Sequence, residues 1–181
     1  MTKKISKYVL ILLSFFAITS CQNPYKEKLV TITSRLIDFE SNETGSQESN
    51  HVFAGKFYTH CDGNNQFSSG FYFPIPDSLN NCFLRICLDF QYRKGGRNFG
   101  QQMVASIQHN ADILFWNVFD LNKYSQKKDV WIHVSDSTQI FYSSTVSGNE
   151  IRVFGYDVDK KSYLDIDNLQ VKIKKVYTGM P

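Results

Sequence analysis

The chain has 181 residues, enough for one domain with a sizeable core, and its 20 Lys and Arg barely exceed its 17 Asp and Glu. Three of those cations, Lys3, Lys4 and Lys7, precede Cys21, while every acid follows it, so 17 of each sign remain beyond that point. That balance removes the electrostatic footprint a nucleic-acid-binding protein would carry.

In chain order, Tyr8 to Ile18 is an apolar run behind a basic start, too short to span a bilayer and placed as an export leader is placed. It ends in Ile18-Thr19-Ser20-Cys21, which resembles the lipobox of bacterial lipoproteins. The resemblance implies a lipoprotein signal peptide over 1–20, lipidation of Cys21, and a cell-envelope location, lipid-anchored to the outer membrane. An ordinary secretory leader with a chance cysteine is the alternative. Residues 21–28 then form a lipidated cysteine and short polar tether, and 29–177 the single domain.

Leu29 to Glu40 predicts a first strand rich in β-branched residues, and Ser41 to Asn50 a polar loop. His51 to Thr59 predicts a strand interrupted by Ala54-Gly55. Asp62 to Asn65 is a turn, and Gln66 to Phe73 a strand stopped by Pro74 and Pro76. Cys82 to Tyr92 alternates most cleanly: Leu84, Ile86, Leu88, Phe90 and Tyr92 share one face. Lys94 to Arg97 is an expected exposed tip. Met103 to Gln108, Ile113 to Leu121 and Val130 to Val134 follow as strands, with Trp131 expected in the core.

At the end, Ile151 to Asp157 and Tyr163 to Ile173 both alternate, and the charged linker 158–162 predicts a hairpin between them. Leu164 and Ile166 have the opposite parity to Leu169, Val171 and Ile173, which predicts a bulge near Asp167-Asn168 that re-aims the Asp167 carboxylate. Short strands without a helical pattern predict an all-β, antiparallel β-sandwich (jelly roll).

The last two segments, with Phe39-Glu40 and Ala54-Gly55-Lys56 earlier, resemble the galactose-binding-like jelly rolls of carbohydrate-binding modules and bacterial surface lipoproteins of the Bacteroidetes type. Tyr156 stands where that family usually has Trp, and Asn168 where it has a second Asp. The resemblance implies a structural Ca²⁺ between Glu40 and Asp167, with Asn168 a further oxygen ligand; surface hydrogen bonds or lysine pairs are the alternative. It also implies glycan recognition through an aromatic platform. Trp116, Tyr92, Tyr124, Tyr142 and Tyr156 are the candidates because they have polar neighbours, Trp116 first.

Cys61, Cys82 and Cys87 cannot all pair within one chain. A bridge, if formed, is expected between Cys61 and Cys82; three thiols are the alternative. Catalysis is not expected: His51, His60, His109 and His133 are scattered, and no triad or metal-ligand spacing links them. The sequence reading is thus a lipid-anchored, non-catalytic carbohydrate-binding-like protein. The alternative is a structural or adhesive lipoprotein binding a partner protein. Asp77-Ser78-Leu79 and Asp136-Ser137-Thr138 also resemble the short O-glycosylation sites of exported Bacteroidetes proteins.

Overall fold

The computed structural model describes residues 27–40, 46–48, 52–96 and 100–178. The leader, Cys21 and most of the tether lie outside the described residues. Leu29–Val176 forms one compact unit; a second unit joins Met1–Lys28 to Tyr177–Pro181, and of it only Glu27, Lys28, Tyr177 and Thr178 are described, the end residues of two strands.

Among the described residues ten strands account for the architecture: β1 (Glu27–Ile37), β2 (Ser46–Glu48), β3 (Phe57–Asp62), β4 (Phe67–Pro74), β5 (Phe83–Gly95), β6 (Gln101–His109), β7 (Asp112–Asp120), β8 (Ile132–Ile140), β9 (Glu150–Asp157) and β10 (Tyr163–Thr178). Three single turns of 3₁₀ helix are the only helical elements among the described residues. Sheet A has the order β2-β3-β10-β5-β8, with β1 also pairing β10, and sheet B the order β4-β9-β6-β7. Neighbouring strands in both run antiparallel wherever their register is defined. This is the all-β sandwich the strand pattern predicts.

Alternation dictates the core. Leu84, Ile86, Leu88 and Phe90 of β5 meet Leu164, Ile166, Leu169, Val171 and Ile173 of β10, with Met103, Ala105 and Ile107 of β6 and Ile151 and Val153 of β9 in the same cluster. Each of these side chains apart from Ala105, removed from water, contributes about 1.5–3 kcal/mol of transfer free energy. The register between β10 and β5 shifts between Asp167 and Gln170, and Asn168 lies at φ 49°, so the expected bulge is present. It switches the parity of the strand, which is why Ile166 and Leu169 are both buried.

Several expectations are corrected. The last two strands do not form a hairpin: β9 lies between β4 and β6 in sheet B, and β10 between β3 and β5 in sheet A. The linker 158–162 carries the chain from one layer to the other. A methyl group at Gly155 would lie 2.5 Å from Ile166 Cδ1, so the two strands face one another across the core. Alternation alone cannot separate these cases, because a strand buries the same parity whether its successor lies beside it or opposite.

Residues 52–56 are a loop rather than strand, with Gly55 at φ 69°. Lys94 is not at an exposed tip. It is the next inward position of β5 after Tyr92, 2% exposed, with its Nζ donating to Asn122 Oδ1. Trp131 is half-buried and precedes β8.

Cys61, Cys82 and Cys87 are all free thiols. Cys61 lies level with Leu164, which pairs Lys94 at one end of β5; Cys82 precedes Phe83 at the other. Eleven residues of strand, roughly 36 Å, separate those levels, whereas a disulfide needs Cα atoms within about 7 Å. Burial pushes the Cys61 thiol well above its ordinary value, which leaves it inert.

Candidate functional site

The outward face of sheet B carries many aromatic and aliphatic side chains where an outward face is ordinarily polar. The register sets three cross-strand rows over β4, β9, β6 and β7: Phe67–Tyr156–Gln102–Asp120, Gly70–Phe154–Val104–Val118, and Tyr72–Arg152–Ser106–Trp116. In the third row the small Ser106 sits between two large side chains, and in the second Gly70 has no side chain at all. These gaps leave a groove of about 800 Å³, lined by Phe67, Tyr72, Gln108, Trp116, Arg152 and Tyr156 among others.

The rings form one connected cluster. Phe67 and Tyr156 stack with centroids 4.9 Å apart and planes 6° from parallel. Trp116 stands perpendicular to Tyr156 at 5.9 Å and edge-on to Phe154 at 5.7 Å. Phe67 also meets Phe154 edge-on at 5.6 Å. Such pairs hold ring orientation, each adding about 0.5–1.5 kcal/mol beyond burial. Trp116 is still 37% exposed and Phe67 48% exposed, so ring surface remains for a ligand. A β-bulge between Phe67 and Gly70 shapes this edge, and a Cβ at Gly70 would lie 1.9 Å from Val153 O, so only glycine fits there.

Polar groups close one end. Glu150 Oε2 accepts from Arg152 Nε at 3.0 Å and Nη2 at 2.7 Å, and Glu150 Oε1 accepts from the Tyr72 hydroxyl at 2.9 Å. The guanidinium lies 5.8 Å from the Tyr72 ring centroid. Arg152, and then the Tyr72 hydrogen bond, hold the Glu150 carboxyl below its usual range, so the pair stays ionised at neutral pH.

Of the five platform candidates, Trp116 and Tyr156 are brought together here. Tyr92 is corrected: its ring is fully buried and its hydroxyl donates to Leu121 O at 3.0 Å. Burial, and then the Asp120 charge, push that phenol up to about 12. Tyr124 is exposed, but it lies after β7 and donates to Asp136, outside the groove. The Tyr142 side chain lies outside what the structure describes. Phe67, Phe154 and Tyr72 escape sequence reading because aromatics on a solvent face look like core, and Arg152 because its neighbour Tyr72 lies on another strand.

The residues implied for calcium lie elsewhere. Asp167 is fully buried; its Oδ2 accepts from the backbone N–H groups of Phe53 (3.2 Å) and Ala54 (3.1 Å), and its Oδ1 from Asn168 N (2.7 Å). Glu40 Oε1 accepts from the next stretch of the same loop, Lys56 N at 2.7 Å and Phe57 N at 3.0 Å. Burial raises the Asp167 carboxyl, and the Glu40 charge adds to that rise. A carboxylate offers about four lone-pair positions, so both keep acceptor capacity beside these N–H groups. Among the described residues no three His, Cys, Asp or Glu side chains group as a metal site. The donor set therefore suits an oxygen-seeking cation only with main-chain or amide oxygens completing the shell.

On the outer face of sheet A, Asp165 is a buried hub. Its Oδ1 accepts from His60 Nδ1 at 2.6 Å, and its Oδ2 from Arg93 Nε (2.8 Å) and Nη2 (2.6 Å). His60 Nε2 lies 3.4 Å from Asp62, while Cys61 between them faces the core. The hydrogen bond to Asp165 raises the His60 pKa against the opposing effect of burial.

No family model matches the chain, and neither does any curated protein sequence. Solved structures similar to it include the CBM22-1 xylan-binding domain from Paenibacillus barcinonensis Xyn10C, at TM-score 0.41 and 12% identity over 84% of this chain and 87% of that one. A family 35 carbohydrate binding module from Clostridium thermocellum is similar at TM-score 0.38 and 14% identity, covering 79% of this chain and 90% of that chain. Dimeric latent PorU from Porphyromonas gingivalis is similar at TM-score 0.41 and 16% identity over 86% of this chain, which spans 13% of the PorU chain. At these values the site has to be read from its own residues.

Proposed function

We propose that the protein is a carbohydrate-binding module whose ligand lies in the sheet B groove, presented from a lipid anchor at Cys21 on the cell envelope. The observation that carries the binding reading is the connected ring cluster of Phe67, Tyr156, Trp116 and Phe154, partly exposed and ending in Tyr72 and Arg152. Sugars present C–H faces to aromatic rings and hydroxyls to polar groups, and the groove supplies both. The outward side chains of β9 from Glu150 to Tyr156 span roughly 20 Å, which suits several units of a linear chain. Affinity electrophoresis in soluble polysaccharides tests this. Retention by one of them, lost in Trp116→Ala with the fold intact, is expected; retention that survives the substitution overturns the groove assignment.

Glu40 and Asp167 supply calcium ligands in the same reading, supported by two carboxylates turned to one loop with Asp167 raised partly by Glu40. Bound calcium would reverse that repulsion and tie the loop to β10. The melting temperature is expected to rise in calcium and fall in chelator, and equal values in both would remove the site.

A further inference from the structure

We infer that the glycan held by the groove is an acidic one, bearing a carboxylate or a sulfate that Arg152 recognises. This rests on the groove being the binding site. Arg152 is the single charged side chain among the lining residues, in a groove otherwise made of aromatic, aliphatic and neutral polar groups. A guanidinium carries five N–H donors, and Glu150 takes two of them, one on Nε and one on Nη2. Both donors of Nη1 and the second of Nη2 remain, and these form the end of the fork that meets a planar or tetrahedral anion with two parallel hydrogen bonds.

The rest of the arrangement holds that fork in place. Glu150 grips the guanidinium from outside the lining, Tyr72 is fixed by the same carboxylate, and its ring lies beside the guanidinium. The Arg152 side chain is 42% exposed, so an incoming anion reaches it without prior opening. Neutral hydroxyls would be met as well by glutamine or asparagine. A fixed, ionised fork gains most from a charged acceptor, whose hydrogen bonds are about twice as strong as neutral ones.

Binding of the full domain to four polymers, measured by affinity electrophoresis and calorimetry, tests this. Polygalacturonate offers carboxylates, and its fully methyl-esterified form the same backbone without charge. Carrageenan offers sulfates, and chemically desulfated carrageenan the same galactan backbone without them. At least one anionic polymer is expected to bind about tenfold or more tighter than its uncharged counterpart, the ratio a bidentate charged hydrogen bond gives. Whichever it is assigns carboxylate or sulfate. Arg152→Gln is expected to erase the preference, and Arg152→Lys to lose most of it. Glu150→Gln, which keeps an oxygen acceptor to hold the fork but removes the negative charge beside it, is expected to enlarge it. If the uncharged polymers bind equally well, and Trp116→Ala abolishes that binding, the acidic-ligand inference falls while the groove reading stands. If none of the four is retained but another, neutral polysaccharide is, the acidic-ligand inference falls and the groove reading stands; if no polysaccharide is retained, both fall.

Discussion

Sheets A and B each turn one row of side chains to solvent, and the two rows differ in what they leave available. On sheet A, Asp165 takes up His60 and Arg93, and Arg93 lies between the rings of Trp131 and Tyr163 at 5.5 and 5.8 Å. Charges there answer one another within the fold. On sheet B the rings touch edge-on or in one stack, and Glu150 occupies only part of Arg152. Chemistry that is mutually satisfied stabilises, whereas chemistry left half-used is available to a ligand.

The sharpest way to break this contrast is at Asp165. Asp165→Ala leaves the Arg93 cation and His60 without their shared acceptor, and removal of one partner from a buried ion pair costs about 3–5 kcal/mol. Chemical denaturation should show a loss of that size; a loss below about 1 kcal/mol would make the network ornamental.

Trp116→Ala on the other face should cost only about 1–3 kcal/mol, the worth of its two ring pairs, because the ring is 37% exposed on an edge strand, while binding is lost. A collapse in stability would mean that the groove is core.

The pH profile sharpens the comparison further. Asp157 is fully buried, and burial followed by the Asp159 charge raises its carboxyl to about 6. Between its unfolded value near 4 and about 6 the folded state holds the extra proton, so stability falls as pH rises, by at most roughly 3 kcal/mol. His60, also raised, contributes stability that is full below about 6.5 and lost as pH climbs through its folded value. Melting temperature should therefore drop from pH 5 to pH 8, and Asp157→Asn should flatten the lower part of that slope. An unchanged profile in the variant would clear Asp157 of the effect.

The smallest change is expected at His133, whose pair with Asp89 is about half exposed on both sides. His133→Ala should alter stability by less than about 1 kcal/mol. A larger loss would show that sheet A depends on its rim as much as on Asp165.

How far the sequence could be read follows from the same alternation. β5 and the bulge of β10 were legible because their two faces differ in polarity, and a parity switch such as that from Ile166 to Leu169 has few other causes. Trp116 and Tyr156 were legible as aromatics beside polar residues. Tyr92 misled for that same reason, although its parity with Leu84 to Phe90 already placed it inside. Phe67 and Phe154 were hidden because burial and ligand contact demand the same residue types. Arg152 showed nothing until Glu150 and Tyr72 came within hydrogen-bond distance, and no spacing encodes that meeting of β4 with β9.

The placement of β10 between β3 and β5 also sets a schedule. Its pairing with β3 joins residues about a hundred positions apart, Tyr163 with Asp62, and that with β5 joins residues from about 70 to about 90 apart, Tyr163 with Gly95 and Val176 with Phe83. The strand at the middle of sheet A thus follows every other described strand in the chain, and until it arrives β3 and β5 have no common neighbour to join them. The two halves of sheet A, β2 with β3 and β5 with β8, therefore stay unjoined until that strand has been made.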